Sequence, residues 1–70
     1  MKYNISRTTK YGVEWKRTKC LDYWSKDRNE CWQFSEQGAK NIVKRYNAQV
    51  PEDMKNKIHY NYYPVNKEDT

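Results

Sequence analysis

Ser35-Glu36-Gln37-Gly38-Ala39-Lys40-Asn41-Ile42-Val43-Lys44-Arg45-Tyr46-Asn47 is the segment of the chain from which the rest can be placed. Ala39, Ile42, Val43 and Tyr46 recur at i, i+3, i+4 and i+7, the apolar stripe of a helix laid on a core. Ser35 stands at the N-cap position, where its hydroxyl can accept from a free amide of the first turn. Glu36 at the start, and Lys44 with Arg45 towards the end, complement the helix dipole. Asn47 suits the C-terminal end. Gly38 weakens the first turn by about 1 kcal/mol relative to Ala. Both a close approach to a sheet and a plain surface glycine are open readings of it.

Upstream, the pattern changes from helical to alternating. Tyr3 and Ile5 share one face of a strand over Tyr3–Arg7, Thr8–Gly12 supplies a turn, and Val13 and Trp15 point inward from a second strand over Val13–Arg17. Cys20–Trp24 reads as a third strand and Glu30–Phe34 as a fourth, paired as a hairpin around the polar loop Ser25–Asn29. Downstream, Val50–Asn56 is a connector in which Pro51 followed by Glu52 and Asp53 allows one short helical turn. Lys57–Tyr63 alternates again, with Ile58, Tyr60 and Tyr62 on one face and His59, Asn61 and Tyr63 on the outward one. Pro64 should end this strand and place that end at an edge or terminus. The expectation is an α+β domain over residues 1–64, an antiparallel sheet of about four strands in the order β-β-β-α-β with one helix packed on it. A polar, mobile tail is expected over Val65–Thr70.

Composition bounds the function. Seventy residues make one small domain, whose hydrophobic core contributes about 3–5 kcal/mol of net stability. Hydrophobic residues are 36% and aromatic residues 16% of the chain, so rings must supply much of the core. Neither a leader-like apolar segment nor a membrane-spanning run is recognisable, which points to the cytoplasm. Fourteen Lys and Arg against nine Asp and Glu give a net charge of +5. Such a balance favours polyanions or acidic protein surfaces, although it also serves solubility alone. Cys20 and Cys31 would lie out of register and on opposite faces of the expected hairpin, so free thiols are expected.

Catalysis is not expected. His59 is the only histidine and reads as a surface residue, with no third group to build a Cys–His site. Cys20, Cys31 and His59 lack the spacing of a structural zinc site. The two glycines stand alone, which excludes a phosphate loop. No cofactor is called for.

Basic residues interleaved with aromatics remain: Lys10-Tyr11, Trp15-Lys16-Arg17 and Lys19, with Lys40 and Lys44 sharing a helix face beside Asn41. If Trp15, Trp32, Phe34, Tyr46 and Tyr60 fill the core, Tyr11, Trp24, Tyr63 and Tyr23 are left as exposed rings. The candidate binding residues are therefore Lys16, Arg17, Lys19, Trp24, Arg28, Lys40, Lys44 and Tyr63. Two functions fit them. One is protein recognition anchored by Trp24, since Trp, Tyr and Arg dominate interface energetics. The other is nucleic-acid binding, with cations on phosphates and rings stacked on bases. Homo-oligomerisation through an edge strand or the uncovered sheet face is compatible with either.

The run from Trp32 through Phe34-Ser35 and Gly38-Ala39-Lys40 to Asn47 resembles an element of small phage and prophage accessory proteins. It covers about a quarter of the chain. The resemblance implies a bacterial host cytoplasm and no assigned chemistry. Such proteins often act by binding and disabling host machinery, including restriction and CRISPR defences. A host protein or nucleoprotein complex is thus the expected partner.

Overall fold

The computed structural model describes residues 2–65. The elements are β1 (Lys2–Thr9), β2 (Gly12–Lys16), β3 (Trp24–Ser25), β4 (Phe34–Ser35), α1 (Glu36–Gln49) and β5 (His59–Pro64), with 3-10 turns at Arg28–Glu30 and Glu52–Met54. All strand pairs are antiparallel, and the expected α+β architecture with one helix on a sheet is what forms. Strand β1 is the hub. One of its edges pairs with β5 from Tyr3 to Thr8. The other is shared by β4, at Lys2 and Tyr3, and by β2, at Ser6 to Thr9. Gly12, with φ of +114°, closes the tight β1–β2 turn in a region that side chains with a Cβ rarely adopt.

The helix forms as its periodicity requires. Ser35 Oγ accepts from the Gly38 amide at 3.1 Å, and Ala39 and Val43 are buried. A Cβ on Gly38 would meet that same Ser35 oxygen, so the glycine makes room for the cap and not for the sheet. The helix runs two residues past Asn47, to Gln49, about half a turn beyond the expected end.

Ile5, Phe34, Ala39 and Val43 form the core, with Tyr3, Trp24, Ile42, Tyr60 and Tyr62 packed against it. Four buried apolar residues are little for a domain, and further rings complete the layer. Tyr46 stacks on Tyr60 with centroids 4.9 Å apart, and Trp24 meets both edge-on or tilted at about 6 Å. Tyr3 meets Tyr62 edge-on at 5.5 Å. Each such pair adds about 0.5–1.5 kcal/mol beyond its buried area.

Three expectations are corrected. Trp15 lies opposite Ser6, so it sits on the sheet face away from Ile5 and the helix, together with Val13, and does not point into the core. Trp32 is exposed and fills no core. The hairpin between residues 20–24 and 30–34 does not form: Trp24–Ser25 folds back on Trp15–Lys16, and Phe34–Ser35 pairs with β1. The connector behaves as read, with Pro51 preceding the 3-10 turn. Val65 is held by its amide to the Lys2 carbonyl at 2.8 Å, and the rest of the expected tail lies outside the described residues.

Candidate binding surfaces

The eight residues singled out in the sequence do not converge on one site. Lys16 lies on the helix side of the sheet and is 2% exposed, so it cannot meet a polyanion. Its Nζ donates to the Leu21 carbonyl at 2.7 Å and to Tyr46 Oη at 3.2 Å, with Asp22 Oδ1 3.8 Å away. Tyr46 Oη in turn donates to Asp22. Burial pulls the pKa of Lys16 below its ordinary value, and the Asp22 carboxylate pulls part of the way back. Burial, followed by the hydrogen bond to Asp22, pushes the Tyr46 phenol up to about 12.

Trp24 is also an interior residue and no exposed anchor. The Arg7 guanidinium lies 4.5 Å from its ring centre and Lys16 Nζ 5.8 Å away. Arg7 is itself paired with Glu14 at 2.7 Å. The helix-facing side of β2 and β3 thus carries cations against rings, where cation–π attraction replaces part of the missing aliphatic packing.

Lys16 has a structural consequence for the loop beyond it. Between Arg17 and Tyr23 the chain turns on Thr18, whose hydroxyl donates to the Leu21 carbonyl at 2.6 Å while accepting from the Leu21 amide at 3.1 Å. The Arg17 amide donates to the Tyr23 carbonyl at 2.7 Å. This clamped loop displays Leu21, 57% exposed, and Tyr23, 60% exposed. Asp22 reaches Lys16 and Tyr46 but stays largely exposed, and Arg17 and Lys19 add two outward cations beside it. Arg17 Nε lies 3.8 Å from Glu30, a weak exposed pair.

Arg28 and Tyr63 each meet Trp15 on the opposite face of the sheet. The Arg28 guanidinium stacks 4.5 Å over Trp15 and donates to Asn4 Oδ1 at 2.9 Å and to the Pro64 carbonyl at 3.1 Å. Tyr63, 44% exposed, meets Trp15 edge-on at 6.0 Å. Ser6, between Trp15 and Asn61 in the ladder, is buried with its hydroxyl unpartnered. Lys40 and Lys44 are exposed on α1, near the Gln37–Asn41 hydrogen bond.

Both thiols are free. Cys20 is exposed, and Cys31 is half-buried with its Sγ donating to the Arg28 carbonyl. Among the described residues no three His, Cys, Asp or Glu side chains gather as a metal site. No described helix is long and apolar enough to cross a membrane.

Leu21 and the tip residues Lys10 and Tyr11 were not among the eight. Residues 20–24 alternate well enough to read as a strand. Their loop character comes from Thr18 and Lys16, which bond the backbone from outside the segment. No known protein family matches the chain, and neither curated proteins nor solved structures include a significant match.

Proposed function

We propose that this is a non-enzymatic binding protein of the small phage type, which docks on a host protein or nucleoprotein complex and impedes it. Defence assemblies such as CRISPR or restriction complexes are the targets this reading points to. The observation that carries it is the clamped loop, which holds Leu21 and Tyr23 in solvent while fixing their backbone. A preorganised apolar pair loses little entropy on binding, and large aromatic side chains are frequent interface anchors. Arg17 and Lys19 beside them favour an acidic surface on the partner and speed its encounter.

Direct nucleic-acid binding is the second reading, and the face bearing Trp15, Tyr63 and Arg28 favours it. Capture from a bacterial lysate with and without nuclease, in parallel with a Leu21→Ser/Tyr23→Ser variant, separates the two. A stoichiometric protein that survives nuclease and is lost with the loop variant supports the first. Recovery of nuclease-sensitive material alone, unaffected by the loop variant, replaces it with the second.

A further inference from the structure

At the opposite end of β2 from the clamped loop, the β1–β2 turn and the segment leading into β5 flank an open cleft of about 720 Å3. Its walls are unlike the rest of the surface. Met54 and Ile58 are half-buried and give it an apolar floor, and Tyr11, 75% exposed, stands at its rim. Lys10, Lys57 and His59 line it, and none of its lining residues is acidic. Thr8 and Asn56 add a hydroxyl and an amide.

The rim is held in place. The Tyr11 amide donates to Thr9 Oγ1 at 3.1 Å, and Lys26 Nζ donates to the Tyr11 carbonyl at 2.8 Å. Lys10 Nζ stands 5.2 Å from the Tyr11 ring centre. The turn therefore presents a ring and an ammonium together, ready for a ligand that has both a flat π-face and negative charge.

We propose that this cleft binds a nucleoside monophosphate. The base lies against Tyr11 and the floor of Met54 and Ile58, where stacking needs no particular base edge. The phosphate lies between Lys10 and Lys57, where cations meet it with no carboxylate in the lining. A cleft of this size with a few polar groups over an apolar lining is of the kind that holds small ligands. The site is remote from the loop assigned to partner binding, so it stands or falls separately from that function.

The test is an NMR titration of the 15N-labelled protein with AMP, adenosine and inorganic phosphate, repeated on Tyr11→Ala, Lys57→Gln and, as a control, Lys44→Gln. Tyr11 and Lys57 are exposed, and each variant's spectrum reports directly whether the fold is kept. AMP is expected to shift the amides of residues 8–11 and 56–59, with affinity falling about tenfold in Tyr11→Ala and in Lys57→Gln and unchanged in Lys44→Gln. Adenosine is expected to bind at least tenfold more weakly than AMP. Absence of shifts with AMP, equal binding of adenosine, or the same response to phosphate alone would each overturn the assignment.

Discussion

The side-chain amide of Asn47 is paired with the backbone of Tyr60: Nδ2 donates to the Tyr60 carbonyl at 3.1 Å, and Oδ1 accepts from the Tyr60 amide at 3.2 Å. These two groups point away from β1, on the free edge of β5, so one helical side chain stands where a further strand would pair. Pro64, two pleats along, has no amide to offer, and its carbonyl is taken by Arg28. Exposed strand edges invite pairing between molecules, and here Asn47 and Pro64 blunt one. Asn47→Ala should lose about 1 kcal/mol of stability, because the bonds are exposed. That corresponds to a fall in Tm of about 4–8 °C in a domain of this size. It should also promote concentration-dependent self-association on size-exclusion chromatography. A variant as stable and as monomeric as the parent would refute both roles.

Lys16 and Tyr46 give the alkaline range two opposing slopes. The folded Lys16 releases its proton at a lower pH than the unfolded chain does, whose ordinary value is 10.5. The unfolded state then holds the extra proton, and stability rises as pH approaches that value from below. Tyr46 behaves in reverse: with its phenol raised from 10.0 to about 12, the folded state keeps a proton that the unfolded chain loses. Stability therefore falls between about pH 10 and about pH 12. Urea denaturation across this range should show Tyr46→Phe with a shallower decline than the parent. Lys16→Met should lack the rise, and it need not be less stable, since a well-packed apolar side chain often replaces a buried charge without loss. An unaltered decline in Tyr46→Phe would remove the phenol from this account.

Arg28 is the fastening of the face away from the helix. Its planar head covers Trp15 and reaches Asn4 and Pro64 at once. Arg28→Ala is expected to destabilise by about 1–2 kcal/mol and to red-shift the tryptophan emission as Trp15 is wetted. Arg28→Lys should restore little, because an ammonium cannot stack and fork in the same way. Full rescue by lysine would mean that charge alone matters there.

The two thiols should differ in reactivity. Burial pushes the Cys31 pKa up, against the pull of Arg28, whereas Cys20 is exposed on the clamped loop. Under iodoacetamide near neutral pH, peptide mapping should find Cys20 modified first, since the thiolate is the nucleophile. Equal rates would show that the Arg28–Cys31 turn opens faster than it is alkylated.

The helix was readable because its information is local: a cap, a stripe and a change of period within thirteen residues. Strands β1 and β5 are legible by alternation, and the end of β5 by Pro64. Alternation gives parity but does not say which parity faces the helix. Apolarity alone puts Val13 and Trp15 inward, yet the register Ser6 to Trp15 puts them outward and turns Lys16 in. A buried lysine is tolerated there because the Leu21 carbonyl and the Tyr46 phenol meet it, and no repeat in the sequence marks either pairing. The stretch from Arg17 to Gln33 hides its structure for the same reason. Thr18, Ser25, Asp27 and Arg28 bond to backbone or to distant side chains, and such contacts leave no repeat in the sequence.

The position of β1 between the last strand and the two before the helix governs how the chain matures. Its partner β5 begins some fifty residues downstream, so the longest loop in the domain must close before Ile5 is sealed. On a ribosome, the helix and the β1–β2 hairpin can assemble early, but the central strand keeps one side unzipped until residues 59–64 have emerged. Synthesis halted in the connector would release a chain with that ladder bare, and proteases or other unfinished copies would find it before a partner did.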